Sequence, residues 1–378
     1  MTVGVIIVNY FTEDLLRPLV RSLVRFPMVC EVIVFDNGSA SPLALGEGPA
    51  RVMGEGRNIG FAAAVNRAFT ALSTNYVLLL NPDLRIDAAA VELLLATSRR
   101  YRCPMVGPRF YWDDDRVFRL PPATGALRWL GVGADAPSSL DGQLRSHYWA
   151  LHHDHYWAQR SPFRQPFLPG ACLLLDGNWV RRRGRVFDER YFMYYEDTDL
   201  CIEAQREGWM PLCVPGAEAV HYWDQSPEPD GGKGRMMAEA GLALRHKFGL
   251  PEQDAVNALP LLPQMPCAPP LDLGQITQAP QLGLSPYLAG THFELAIDPG
   301  FVPFAQARLG PGGLAPYDRD FRVRNLARMA KPWAWMGQAR NITLPGSLWS
   351  RLRTGCYHAR LRGPDGMVGN QWRWCRGP

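Results

Sequence analysis

The 378-residue sequence has no run approaching the ~18 consecutive apolar residues that cross a bilayer, so no membrane span is expected. It also has no C-x-x-C pair. Its eight cysteines, at positions 30, 103, 172, 201, 213, 267, 356 and 375, are scattered and mostly set in apolar runs. A zinc site or a disulfide framework needs tighter clustering, so all eight are expected to be buried spectators in a reducing compartment. The fingerprint G-x-G-x-x-G is missing, which argues against a dinucleotide fold. The opening residues TVGVIIVNYF carry neither a basic flank nor a small-residue cleavage site. No leader is therefore expected, the stretch reads as a first strand, and the expected location is the cytoplasm.

What is present is ordinary for a soluble globular chain of one large or two ordinary domains: 47% hydrophobic and 20% charged residues. The net charge of +4 conceals an asymmetry. From Gln281 onward thirteen Lys/Arg face five Asp/Glu, a net of +8, which leaves −4 for the rest. A basic tail on a mildly acidic body suits an anionic neighbour, either a phospholipid surface met peripherally or a charged glycan. No nucleic-acid partner is expected.

The first 110 residues alternate strand and helix. VGVIIVNY (3–10), EVIVFDNGS (31–39), a short strand from 51 and YVLLL (76–80) read as strands. EDLLRPLVRSLVRF (13–26), with Thr12 as N-cap, an Ala-rich stretch up to Leu72, and AAAVELLLATSRR (88–100) read as helices. This pattern predicts a parallel α/β sheet, whose ligands sit at the carboxyl ends of the strands. Asn9, Asp36-Asn37 and Asn81-Pro82-Asp83 each stand at such an end. Residues 111–167 read as irregular, the stretch 187–208 leads into a helix stopped by Gly208, and a further helix is expected at 235–248. The domains expected are 1–250, an α/β domain, then a linker or extended wrap over 251–286 with eight prolines, then a small β-sandwich-like domain over 287–378.

Four clusters could carry chemistry, each with a plainer reading beside it. Pro82 stops a buried strand, and Asp83 is then either a solvated turn residue or an oxygen ligand for Mg²⁺ or Mn²⁺. Glu196, Asp197 and Asp199 either cap and decorate a helix start or place a general base in a cleft. In Arg57-Asn58-Ile59-Gly60-Phe61 the glycine would let a ligand approach the backbone. His221 is either a satisfied core histidine or part of the site. The HHDH segment, His152 to His155, could hold a metal, but a solvated or acceptor-facing loop fits it better. The Trp-rich C-terminal part, with residues 333, 335, 349, 372 and 374, either fills a small core or offers a sugar-stacking platform.

Taken together, the ordered motifs I-V-N-Y, F-D-N-G-S, N-I-G-F-A-x-A-x-N, L-L-N-P-D, V-G-P-R, P-G-A-C-L-L, F-D-E-R-Y-F-M-Y-Y-E-D-T-D-L-C and V-P-x-A-x-x-V-H closely resemble the family 2 glycosyltransferases of GT-A fold. The rhamnosyltransferase-like branch fits best, and the resemblance covers about residues 1–250. It implies that Asn81-Pro82 ends the strand so that Asp83 faces a divalent ion on the donor diphosphate. It implies that Asp36 bonds the base or ribose, with Asn9, Asn58, Asn66 and Asn81 lining the nucleotide site and Gly60 permitting its approach. Asp197 would be the catalytic base, with Glu196 beside it, and His221 a group near metal and diphosphate. Where relatives often continue with a Gly-rich stretch, this chain has Tyr-Trp-Asp-Gln-Ser-Pro.

The implied activity is transfer from a nucleotide-sugar, dTDP-rhamnose or a UDP-sugar, to a glycan or lipid-linked acceptor hydroxyl, with inversion. Two rivals stand beside it. A sugar-1-phosphate nucleotidyltransferase would carry a Gly-rich basic loop near its start, where this chain has NYFTEDLLR. A non-catalytic carbohydrate-binding protein would not need Asp83, Glu196 and Asp197 together.

Overall fold

The computed structural model describes residues 2–40, 42–45, 48–54, 56–123, 140–227, 232–249, 269–285 and, between 287 and 377, all but 289, 298, 300, 302–303, 311, 317–335, 338, 365 and 367. In chain order the elements begin with β1 (Val3–Asn9), α1 (Glu13–Leu23), β2 (Val29–Asp36), β3 (Ala50–Met53), α2 (Phe61–Thr70), β4 (Tyr76–Leu80), β5 (Leu84–Ile86), α3 (Ala88–Tyr101) and β6 (Met105–Tyr111). There follow α4 (Leu140–Ala158), β7 (Phe163–Arg164), β8 (Cys172–Asp176), α5 (Gly177–Arg183), α6 (Glu196–Arg206), β9 (Leu212–His221) and α7 (Lys233–Phe248). The remainder is β10 (Leu271–Ile276), β11 (Gln281–Gly283), β12 (Tyr287–Leu288), β13 (His292–Ala296), β14 (Ala305–Gly310), β15 (Gly313–Ala315), β16 (Met336–Gly337), β17 (Asn341–Thr343), α8 (Gly346–Trp349), β18 (Gly355–Arg362) and β19 (Val368–Arg376). Two compact units result. One comprises Met1–Arg109, Pro122–Arg128 and Trp157–Ala255; the other comprises Phe110–Pro121, Trp129–Tyr156 and Val256–Pro378.

The first unit is built on a mixed sheet of order β3-β2-β1-β4-β8-β6-β9-β5, with β7 on β9. Its β3-β2-β1-β4 part is parallel. Every residue of β1 and β4 is buried, as in strands covered on both faces, which is why their sequences run apolar without alternation. Each such Val or Leu contributes about 1.5–3 kcal/mol by leaving water. Register places Asn9 beside Asp36 and Ile7 beside Leu80, so three strand ends come level. Beyond Pro82 the chain re-enters the sheet as β5, antiparallel to β9, with Leu84 opposite His221. Thr12 stands at the N-cap position of α1, but its side chain does not cap the helix. Its hydroxyl donates instead to Asn9 Oδ1 at 3.0 Å.

The second unit is β-rich, as expected. Its main sheet has the order β10-β19-β18-β13-β14-β15, all antiparallel except β10 on β19, and two further strand pairs are β11–β17 and β12–β16. Trp372 and Trp374 are buried, and Trp374 stacks on Tyr357, so these two rings fill the core. Trp333 and Trp335 lie outside the described residues.

Three expectations are corrected here. Strands β10 and β11 form inside the stretch read as a linker or extended wrap, with Pro269, Pro270 and Pro280 before them rather than inside them. Residues 140–158 form a helix, not an irregular segment, and the His-rich stretch lies on it. Ser146, Trp149-Ala150, His153 and Tyr156 recur at helical spacing and are buried, once the histidine is counted as a core residue. His153 is 0% exposed, its Nε2 lies 3.2 Å from the Arg119 carbonyl, and burial holds its pKa well below the usual range, so it is neutral. The third correction concerns cysteine. Cys356 and Cys375 face each other across β18 and β19 and form a disulfide, while Cys30 is exposed and Cys103, Cys172, Cys201 and Cys213 are buried. Nineteen residues separate the bridged pair, so only strand register brings them together.

Candidate active site

The ends of β1 and β2 are tied by amide side chains. Asn9 is fully buried, donates to the Gly38 carbonyl at 3.0 Å, and accepts from the N–H and hydroxyl of Thr12. Asp36 accepts from the Gly38 N–H at 3.2 Å and from Ser39 at 2.8 Å. Asn37, not singled out for a role in the sequence, donates to Asn58 Oδ1 and accepts from the Ile59 N–H at 2.8 Å. Asn58 in turn accepts from the Gly60 N–H at 3.0 Å. These bonds tie the carboxyl ends of β1 and β2 to the loop before α2. Gly60, with φ +88°, opens α2, but the space beside it is not left for a ligand. A Cβ there would meet the Phe192 carbonyl and ring at 2.8 Å, and the Phe61 N–H donates to that carbonyl. The glycine is required by the close approach of the segment that leads into α6.

The turn at Pro169-Gly170-Ala171 joins the two acidic motifs. The Ala171 carbonyl accepts from the Asn81 N–H at 2.8 Å, and the Gly170 N–H donates to Asp197 Oδ2 at 2.8 Å. A side chain at 170 would press on Asp197 Cβ at 3.2 Å. The motif P-G-A-C-L-L thus ties Asp197 to Asn81, the residue that follows β4. Asp83 and His221, both nearly buried, are brought together by the pairing of β5 with β9. Asp83 Oδ1 stands 3.4 Å from His221 Nε2, and the Tyr222 N–H donates to the Asp83 carbonyl. Two ligand atoms each about 2.1 Å from one small cation stand roughly 3 Å apart, so this carboxylate–imidazole pair fits a divalent ion completed by other oxygens. After His221 the chain turns through Trp223 and Asp224, at φ +53° and +56°, a geometry that glycine would adopt without strain.

At the start of α6 the backbone is unusual. Tyr194 and Tyr195 have φ of +72° and +66°, each a conformation costing about 1–3 kcal/mol for a side-chain-bearing residue. They deliver Glu196 and Asp197 into a buried setting. Burial, with the Asp197 charge next, pushes Glu196 up to about 8, and its Oε2 is buried without a hydrogen-bond partner. Burial also raises Asp197, against hydrogen bonds from the N–H groups of Gly170 and Thr198. Two adjacent carboxylates that hold their protons above the usual range are what acid–base chemistry near neutral pH requires.

Two further features escaped sequence reading. Asn66, expected to line the nucleotide site, uses its whole amide within the protein. It donates to the Phe187 carbonyl and to Glu189, and accepts from the Val186 and Phe187 N–H groups at 2.9 and 3.0 Å. It clamps the segment leading to α6, and a nucleotide would have to displace one of these bonds. Asp188, Asp199 and Glu203 gather their oxygens within 4.8 Å, the one such group among the described residues. That cluster already holds a cation. Lys247 Nζ lies 2.9 Å from Asp188, 2.6 Å from Asp199 and 2.6 Å from Glu203. With the ammonium in place, a metal has no need to enter there, and the Asp83–His221 pair is the better candidate for one.

Residues 4–168 match the family described as Glycosyl transferase family 2, and they carry most of the mixed α/β sheet of the first unit. Among curated relatives, the chain is 29% identical over 215 residues to an N-acetylglucosaminyl-diphospho-decaprenol L-rhamnosyltransferase of Mycobacterium tuberculosis. That match covers 50% of this chain and 66% of the relative. It is 25% identical over 236 residues to rhamnosyltransferase WbbL of Escherichia coli strain K12, covering 58% and 83%. The chain thus spans just under two thirds of the first relative's length. Among solved structures, GalNAc-T7 with UDP, GalNAc and Mn²⁺ aligns with 15% identity and a TM-score of 0.46, over 65% of this chain and 48% of that one.

Proposed function

We propose that this chain is an inverting, metal-assisted glycosyltransferase that moves a sugar from a nucleotide-sugar to a hydroxyl of a lipid-linked glycan. The names of the relatives favour rhamnose as the sugar and a polyprenyl-diphosphate-linked acceptor. The observation that supports the reading is the Gly170–Ala171 turn, which bonds Asp197 on one side and the Asn81 N–H at the end of β4 on the other.

In the proposed reaction Asp197 accepts the proton of the acceptor hydroxyl. The hydroxyl oxygen forms a bond to the anomeric carbon, and the bond from that carbon to the diphosphate breaks. The nucleoside diphosphate departs with the bonding electron pair. One carboxylate base and a single displacement give inversion. Held by Asp83 and His221, a divalent cation would neutralise charge on the leaving diphosphate. Glu196, largely protonated near neutral pH, keeps a second negative charge away from Asp197. General-base help of this kind is worth roughly 10²–10⁴ in rate.

The test is thermal shift against a panel of nucleotide-sugars with and without Mn²⁺, since a bound donor raises stability by mass action. One donor, a dTDP- or UDP-sugar, should raise Tm in a Mn²⁺-dependent way, and D83N should lose that dependence. An unchanged Mn²⁺ response in D83N would remove Asp83 from the metal site. Donor binding without transfer or slow donor hydrolysis would instead favour a carbohydrate-binding protein.

A further inference from the structure

Lys247 stands near the end of α7, yet its ammonium is the hub of the Asp188, Asp199 and Glu203 cluster. Its side chain is only 14% exposed. Of its three carboxylate partners, two have other cations. Asp188 also meets Arg185 at 3.3 Å and Arg190 at 3.0 Å, and Glu203 also meets Arg183 and Arg185. Asp199 differs. It is 1% exposed, and Lys247 is the only cation within ion-pair distance of it among the described residues. Its other side-chain partner is the Tyr191 hydroxyl, which donates to the same Oδ1 at 3.0 Å. Ala240 and Leu244 of α7 pack with Tyr191, and Tyr194 and Tyr195 lie against them.

Asp199 stands in the first turn of α6, two residues from Asp197, and its N–H donates to the Tyr195 carbonyl at 2.8 Å. That carbonyl belongs to one of the two positive-φ residues which aim Glu196 and Asp197. A strained turn persists only where its surroundings over-determine it. We infer that Lys247 is a positioning residue: as the built-in counter-ion of Asp199 it pins the first turn of α6 and so fixes the aim of Asp197. Without the ammonium, Asp199 is left as a buried, uncompensated carboxylate. The turn then relaxes, or Asp199 takes a proton and releases its hold. This rests on the assignment of Asp197 as base, so the experiment reads position separately from turnover.

The variants are K247M, which keeps the bulk and removes the charge, and D199N, which breaks the same pair from the other side. Native-state hydrogen exchange should show the Thr198 and Asp199 amides exchanging at least ~10-fold faster in both, with β1 and β4 amides unchanged. Turnover should fall about 10- to 100-fold while the Kd for nucleotide-sugar moves less than about threefold, as expected when a reacting group is misaimed and the donor site stays intact. The double variant should lose no more than the worse single one, because both break one pair. Unchanged exchange at Thr198 and Asp199 in either folded variant overturns the inference, even if turnover falls. A parent protein inert toward every donor would overturn the proposed function, and the exchange data would still decide this point.

Discussion

Helix α6 carries two carboxylate groups that differ only in company. Glu196 and Asp197, at its start, are buried away from any cation among the described residues, and both are pushed up by burial. Asp199 and Glu203, less than one and two turns further on, share the Lys247 ammonium. The same contrast separates Glu196 from Glu294 in the second unit. Glu294 is 0% exposed and lies between Arg360 at 2.7 Å and Arg362 at 2.5 Å. A buried carboxylate with its cation is architecture, because removing either member strands the other. One held without a cation works against stability, and the strained turn ahead of it adds to that cost. Such an arrangement is expected where a proton has to move.

The contrast can be broken by substitution. Replacing Asp197 is expected to have the largest effect on the reaction. D197N is nearly isosteric, so folding and donor affinity should survive while kcat falls by two to four decades, roughly 10²–10⁴. A D197N protein that keeps most of its turnover would move the base to Glu196. Next comes E294Q, which should leave Arg360 and Arg362 buried without their counter-charge. Urea unfolding should then show the second unit destabilised by about 3–5 kcal/mol. A loss under about 1 kcal/mol would mean that Glu294 is not a compensated charge in the way the geometry implies.

The smallest effect should have the opposite sign. Glu196 has a folded-state pKa of about 8 against an ordinary 4.5, so between those values the native state holds a proton that the unfolded chain has released. Raising the pH through that window favours the unfolded chain, whose carboxyl is already ionised, over the native state that still holds its proton, and stability falls. In E196Q there is no such proton to lose. Its unfolding free energy should match the parent's at about pH 5 and exceed it at about pH 8, by on the order of one to three kcal/mol. Parallel stability curves for E196Q and parent across that range would show that Glu196 is not a buried acid of raised pKa.

Much of this arrangement was legible in residue order. Unbroken apolar runs marked out β1, β2 and β4, because strands covered on both faces have no polar side to alternate with. Pro82 marked the strand end, since a residue without an N–H cannot extend a ladder. The acidic start of α6 and its stop at Gly208 followed from end-of-helix chemistry that acts within a turn or two.

What stayed hidden involves partners far apart in sequence. Asn66 reads as one more polar residue until Val186 and Phe187, some 120 positions on, are seen donating to it. Gly60 reads as a ligand glycine until Phe192 fills its missing side chain. The histidines of α4 read as solvated until tertiary packing makes one of them core, and Cys356 and Cys375 read as strangers until strand register joins them. Local pattern determines which faces are apolar and where elements stop, because those forces act over a few residues. Which carboxylate receives a lysine and which is left alone was decided only in the folded chain, where charge compensation depends on distances of a few ångströms between segments that the sequence sets far apart.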